Sequence, residues 1–512
     1  MGVPKQPAAT SGAGETSLGK PEIIVGLVGA AGTDLHTAAN AVKGALGPYG
    51  YKGVDIRLSA LMREVRGGSF LKNKVNEDTR ILRHMDAGDS IRDKAQRNDA
   101  IAGLAIGYVS EYRKEHSEEA PALNTAFVLD SLKHPAEVET MRRIYGERFT
   151  LISVHSPTGA RLDVLKKRIA TSRGTPEKAS DFKAAAEKIM KRDEHDDDHG
   201  FGQNVREAFI EGDVYISTQE GAEFQSSIER YFGLFFGNPF LTPTQDEYAM
   251  FQTHAAALRS ADLSRQVGAA ICTSEGQIIA VGCNEVPKAF GGQYWPGDKP
   301  DGRDFELGYD SNVKQRDEAL AKTFERLRDD GQLASEVSPE SFAAALQGTR
   351  LANITEFGRT VHAEMASLLD ASRRGVSVQG HRLFTTTFPC HNCARHIIGA
   401  GVKEVIFREP YEKSLAGELH EDALVVDPTG SPTEKVIVRR FVGVGPPRYL
   451  DLFAMPTRKD REGNRIDWSE KLAKPRLVKE GTGYVSNEED FLDEFRESIA
   501  TVDLEEETGN GR

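Results

Sequence analysis

Two short segments of this chain hold side chains that could do chemistry together: Val361-His362-Ala363-Glu364 and Phe388-Pro389-Cys390-His391-Asn392-Cys393. Imidazole and thiolate are zinc ligands, and a zinc that acts on a substrate keeps a position open for water rather than taking a fourth protein ligand. His362, Cys390 and Cys393 supply three ligands. Zinc lowers the pKa of bound water, and Glu364 lies close enough in sequence to take that proton and pass it on. Both segments read as helix starts. Pro389 falls in a first turn, where its missing N–H costs nothing, and a helix N-terminus favours the thiolate form of a cysteine. The strand RLFTTT (382–387) between them would bring the two helix starts to one place. A lone C-x-x-C or H-x-E says little. The specificity comes from their order, their spacing and the proline before the first cysteine. The competing reading is a structural zinc site, which needs a fourth ligand, with His391 and His396 the nearest candidates.

Cys272 and Cys283 lie on the two arms of a hairpin, GAAICTSEGQIIAVGCNEVP, that turns at Ser274-Glu275-Gly276. They read either as small core residues or, with His254, as ligands of a second metal. A second candidate site lies near the N-terminus. The strand EIIVGLVG (22–29) runs into a glycine-rich turn and then a helix-like stretch. A P-loop is G-x-x-x-x-G-K-[ST], in which backbone N–H groups cradle phosphates and Lys reaches the β/γ oxygens. Aligned on Gly29, this loop reads GAAGTDLHT. Asp34 stands at the second glycine, Leu35 at the lysine and His36 at the Ser/Thr. Gly29, Gly32 and Thr33 still suit an anion-friendly turn, whereas the missing lysine argues against phosphoryl transfer. Asp130, at the end of the strand FVLD, reads either as a carboxylate organising Mg2+ on a bound nucleotide or as a helix cap. The charge run KRDEHDDDHG (191–200) reads as a solvated loop, with a lid over a nucleotide as the alternative.

The elements that must position these groups follow from the hydrophobic pattern. Strands at 22–29, 127–130, 149–154 and 212–216 alternate with helices at 88–115 and 135–145, which predicts a mostly parallel sheet. The segment 237–247 reads as a linker. Beyond it come a helix (248–259), the hairpin, a polar insertion (288–350), then helix (362–373), strand (382–387), helix (390–400) and strand (403–407). The expected division is a disordered arm (1–20), a P-loop kinase-like domain (21–236), a zinc-dependent domain (245–455) and a C-terminal extension (456–512) that is acidic and loosely ordered from about 485.

Composition narrows the function classes. The 512 residues carry a net charge of -13, which argues against a general nucleic-acid binder while leaving room for a small anionic substrate. Four cysteines make no disulfide framework. The N-terminus lacks the apolar core of a signal peptide, and no stretch is apolar enough to span a membrane. The cytoplasm is the expected compartment.

H-x-E…P-C-x-x-C, with a glutamate that does not bind the metal, is the signature of the zinc nucleobase deaminases. Residues 245–410 resemble the deoxycytidylate deaminase family through Ser264-Arg265-Gln266-Val267-Gly268-Ala269, Gly282-Cys283-Asn284-Glu285-Val286-Pro287 and the two zinc segments. The resemblance implies a cytidine-deaminase α/β/α sandwich with Zn2+, Asn284 contacting the sugar, the backbone at Ala363 holding the base and Glu364 shuttling protons. Arg265, Lys288 and Arg303 are candidate phosphate contacts. Over about 21–455 the chain resembles the bacterial anti-phage dCTP deaminases, notably at 129–146, 259–271 and 283–305. That implies hydrolysis of dCTP, and often dCMP, to the uracil nucleotide, which drains a pool that a phage needs. It also implies an activity held off until infection, and related deaminases imply a homo-oligomer. The altered glycine loop adds the expectation of an N-terminal domain that folds like a nucleotide kinase without turning nucleotide over, and that binds a regulatory nucleotide or an inhibitor. The other readings are a conventional dCMP deaminase, a nucleic-acid-editing deaminase, a riboflavin-type or guanine deaminase, and a binding protein whose zinc only holds structure.

Overall fold

The computed structural model describes residues 19–505, except 195, 197–199, 222, 348, 350, 352–353, 355, 411–413, 429–433, 456 and 480. Most of the expected arm, part of the 191–200 charge run and the last residues of the tail lie outside the described residues. The chain divides into two compact units. The first comprises Met1–Leu241 with Ala454–Arg512, and the second Thr242–Phe453. No described helix is long and apolar enough to cross a membrane.

In the first unit, β1 (Ile23–Val28), β2 (Lys52–Arg57), β3 (Thr125–Asp130), β4 (Phe149–His155) and β5 (Val214–Ser217) run in the order β5-β4-β1-β3-β2. Every pairing among them is parallel. β1 is buried at all six positions, as a central parallel strand covered on both faces must be, and so its sequence is an unbroken apolar run. β2, KGVDIR, is an edge strand with mostly exposed or half-buried residues. Its lack of a hydrophobic pattern explains why sequence periodicity did not reveal it. The chain crosses from one side of β1 to the other between β3 and β4, so the crevice at the C-terminal ends of these strands is the topological switch point.

Two expectations need correction. The long helix expected at 88–115 is two helices, Glu77–Ala95 and Ala100–Ser117. Gln96 ends the first with a left-handed φ of 53°, a conformation that closes a helix C-terminus. Up to Ala500, the C-terminal segment from 485 is not loosely ordered. Gly483–Ala500 is a helix that buries Tyr484, Glu488, Phe491, Leu492 and Phe495 and packs on Ala100–Ser117. That spacing is one helical face, which the surrounding acidic residues mask in composition.

Glu488 is buried because it belongs to an ionic cluster. Arg113 Nη1 donates to Glu488 Oε1 at 2.5 Å, and Nη2 donates to Glu22 Oε1 at 2.6 Å. Tyr145 and Tyr484 hydroxyls donate to Glu488 and Glu22 at 2.6 and 2.8 Å. The C-terminal helix is thereby tied to β1 and the helix Ala100–Ser117.

The second unit holds a mixed sheet in the order β10-β11-β9-β8-β6-β7, made of β6 (Gly268–Cys272), β7 (Ile278–Cys283), β8 (Arg382–Thr387), β9 (Glu404–Glu409), β10 (Leu424–Val426) and β11 (Val436–Arg440). β6 pairs antiparallel with β7 and β8, and the remaining pairs are parallel. The helix Gln245–Ala257 opens with a capping box between Thr244 and Glu247, so the segment before it serves as a cap as well as a connection. Helix Ala363–Arg373 lies on β7 and β6. A Cβ at Gly282 would come within 2.5 Å of the Ala363 carbonyl oxygen, so glycine there lets the helix start sit close to the sheet. The insertion contains helices Ser311–Asp329 and Pro339–Leu346, which meet at Phe324 and Phe342.

Candidate active site

His362 and Cys390 occupy equivalent places, each the N-cap of a helix: Ala363–Arg373 and His391–Gly399 respectively. β8 runs between the two segments and delivers the second helix beside the first. Cys390 Sγ accepts from Cys393 N at 3.4 Å, as a capping side chain does, and this also turns the C-x-x-C pair to one side. His362 Nδ1 lies 3.4 Å from both Cys390 Sγ and Cys393 Sγ. The three ligand atoms all lie within 4.8 Å of one another, and no other such cluster of His, Cys, Asp and Glu occurs among the described residues. Donors on a tetrahedral zinc with bonds of about 2.0–2.3 Å sit roughly 3.5–3.8 Å apart, so this set fits Zn2+. His391 and His396 do not join it, and a site with three protein ligands is the catalytic rather than the structural type.

The protonation pattern agrees. Hydrogen bonding from Cys393, followed by that from His362, holds the Cys390 thiol down at about 4, which favours the thiolate that binds metal. The bond to Cys390 raises His362 to about 9. The proton they share is one that a bound cation would displace. Glu364 is only 4% exposed, and its Oε2 lies 3.5 Å from Cys393 Sγ. Burial, with the negative charge of Cys390 adding to it, pushes its carboxyl up. Replacing Cys390 by Ser is expected to weaken zinc binding by more than the roughly 10–100-fold typical of losing an outer partner. Metal content after dialysis measures this, with Cys272→Ser retaining full zinc.

Asn284 is buried. Its Oδ1 accepts from Val267 N at 2.7 Å and its Nδ2 donates to the Arg265 carbonyl at 2.8 Å. It therefore shapes the 265–267 turn, with one amide hydrogen and one oxygen lone pair still available. The next residue, Glu285, bridges to Val361 through two backbone hydrogen bonds of 3.1–3.2 Å. That bridge sets the Asn284 loop beside His362, a link that local pattern does not reveal. Ala363 is fully buried at the first position of its helix, where the N–H has no intrahelical partner. Ser414, not anticipated from sequence, fastens the second segment by donating to the Pro389 carbonyl at 2.7 Å.

The candidate phosphate contacts are less well placed. The Lys288 ammonium is paired with Asp298 at 2.5 Å, and Lys288 lines a cavity of about 580 Å3, with Arg259, Trp295 and Arg373, whose walls do not include His362 or Glu364. Arg303 is bound by Asp301. Arg265 is exposed. Cys272 and Cys283 are buried core thiols at opposite ends of the β6–β7 pairing. Burial pushes Cys272 up to about 11, and neither residue forms a metal cluster with His254.

Residues 243–409 match the family described as the cytidine and deoxycytidylate deaminase zinc-binding region. The second unit thus carries a cytidine/deoxycytidylate deaminase domain. ComE operon protein 2 of Bacillus subtilis (strain 168) is 42% identical over 66 residues, which is 13% of this chain and 35% of that protein. A probable deoxycytidylate deaminase of Drosophila melanogaster is 28% identical over 162 residues, which is 32% of this chain and 58% of that protein. The chain therefore spans less than two thirds of either relative. Among solved structures, the dCMP deaminase of cyanophage S-TIM5 in complex with dCMP and dUMP is 18% identical, covering 39% of this chain and 98% of that one, with a TM-score of 0.23.

In the first unit, Gly29, Gly32, Thr33 and Asp130 line a single cavity of about 630 Å3. Gly32 has φ +90°, and a Cβ there would meet the Arg161 carbonyl oxygen at 2.7 Å, so this turn requires glycine. Asp34, at the second glycine of the P-loop pattern, caps the helix Leu35–Leu46 through Thr37 N at 3.0 Å. Asp130 is not the cap of the following helix, Pro135–Tyr145, since His134 is. Burial raises the Asp130 carboxyl against the pull of Lys133, Arg57 and His36. Lys133, which sequence alignment on the loop does not point to, brings its Nζ to 3.4 Å from the Gly29 carbonyl.

Proposed function

We propose that this chain hydrolytically deaminates deoxycytidine nucleotides, converting dCTP, dCMP or both to dUTP or dUMP. The observation that carries this reading is the buried Glu364 carboxyl beside a converging His362, Cys390 and Cys393. When bound to these three residues, zinc supplies Lewis-acid activation of water. Glu364 takes a proton from water and delivers it to N3 of the cytosine ring. It then carries the second proton to the departing amino group. The C4–N bond breaks as the C4–O bond forms, so cytosine and water become uracil and ammonia. Asn284 and the Ala363 backbone hold the sugar and base, and the helix starts at 363 and 391 fix the reacting groups relative to one another.

Two lines support nucleotides over a polymer: the names of the relatives, and the net charge of -13, which opposes a nucleic-acid channel. The relatives' named substrate supports dCMP. The similarity of 129–146, 259–271 and 283–305 to anti-phage dCTP deaminases supports dCTP, depletion of the deoxycytidine pool as antiviral defence, and a regulatory first unit. The test is incubation of zinc-loaded protein with dCTP, dCMP, CTP, CMP and deoxycytidine, resolving products by chromatography, with Glu364→Ala alongside. Conversion of dCTP establishes the pool-draining activity. Conversion of dCMP alone makes this a deoxycytidylate deaminase with an added unit. Conversion by the Glu364→Ala protein at the wild-type rate removes the mechanism.

A further inference from the structure

The glycine-rich turn of the first unit is not vacant of charge. Asp193 lies in the last turn of the helix Lys183–Glu194, and its side chain is 1% exposed. Its Oδ2 accepts from Ala31 N, within the turn, at 2.6 Å. Its Oδ1 accepts from Lys133 Nζ at 2.8 Å and from Gln203 Nε2 at 3.2 Å. A backbone N–H of a glycine turn and a lysine ammonium are the two donor types that cradle a phosphate. The lysine missing at position 35 is therefore supplied from the loop after β3, and a carboxylate of the same chain takes the place of the anion. We propose that the cavity at the C-terminal ends of β1 and β3 is a nucleoside-triphosphate site whose phosphoryl seat is held by Asp193, so that ligand binding and the Asp193 contact exclude each other.

Three observations support the exchange. A carboxylate at a helix C-terminus is opposed by the helix dipole, and a buried charge is costly unless paired. Asp193 thus depends on the turn and Lys133 for its placement, and a stronger anion competes for the same donors. Next, the cavity wall holds polar atoms that are buried and lack a hydrogen-bond partner: Thr33 Oγ1, Ser131 Oγ and His84 Nε2. Unpaired buried polar groups are rare and costly, and a ligand with hydroxyl and phosphoryl oxygens would satisfy them. Finally, the remainder of the wall includes Leu58, Met62, Ile81, Met85 and Ile101, an apolar surface suited to a base rather than to a bare inorganic anion. Displacing Asp193 would free the end of its helix and the Gln203 contact.

Nucleotide binding at this seat is independent of the deaminase chemistry and is measured as binding rather than turnover. Full-length wild type, Asp193→Ala and the double variant Asp193→Ala/Lys133→Ala are titrated calorimetrically with ATP, GTP and dTTP in excess Mg2+. If the open seat is populated below about a tenth in the wild type, removing Asp193 tightens binding of at least one nucleotide by tenfold or more, and the gain disappears in the double variant. Asp193→Asn keeps the side-chain size and is expected to move affinity the same way, which keeps the test sound should the alanine variant fold poorly. Equal affinity, or equal absence of binding, across wild type and both single variants overturns the proposal. So does a gain that survives loss of Lys133, because the anion would then sit elsewhere.

Discussion

Glu364→Gln is expected to lower deamination of the converted nucleotide by about 10²–10⁴-fold, the range for loss of a positioned proton-transfer group. The side chain keeps its size and its place beside Cys393, but it no longer exchanges a proton with water or the ring. Zinc content should remain that of the wild type, because Glu364 is not among the three convergent ligands. Paired turnover and metal measurements separate the two roles. A variant that loses zinc together with activity would make Glu364 a ligand, and one that keeps most of its activity would move the proton shuttle to another group.

Glu488→Ala should destabilise the first unit by about 3–5 kcal/mol, the cost of breaking a buried ion pair by removing one partner. Arg113 would keep Glu22 but leave Nη1 facing the gap, and the Tyr145 hydroxyl would lose its acceptor. In thermal unfolding this is a fall on the order of 10 °C in the transition of that unit. The second unit's zinc content serves as the control. A loss of about 1 kcal/mol or less would mean the pair behaves as a solvent-screened surface bridge, contrary to its burial. Glu488→Gln, which retains an acceptor for Tyr145, should lose less.

Glu364 acts within a locally encoded group, whereas Glu488 acts through partners far away in sequence. The zinc group was legible because its chemistry is local. His362 and Glu364 stand two apart at one helix start, Cys390 and Cys393 three apart at the next, and β8 between them is a short, mostly buried strand. The central strands of the first unit were legible for a similar reason, since β1 and β3 are buried on both faces and read as apolar runs. Where a strand is at an edge, as β2 is, that signal fades. Where acidic residues crowd an amphipathic helix, as at 483–500, composition points to a loose tail although one face is buried.

By itself the sequence determined which residues are candidates for metal binding and proton transfer, and the alternation of strands and helices, because residue type and short spacing decide them. Only the tertiary structure decided which distant charges meet. Lys133 reaches a turn 104 residues away, Asp193 seats itself on Ala31 across 162 residues, and Glu488 finds Arg113 across 375. An isolated Lys or Asp in sequence reads as solvated surface. Its burial and partner follow from how the sheet and helices pack, and a buried charge is tolerated only where that packing brings an opposite one within reach.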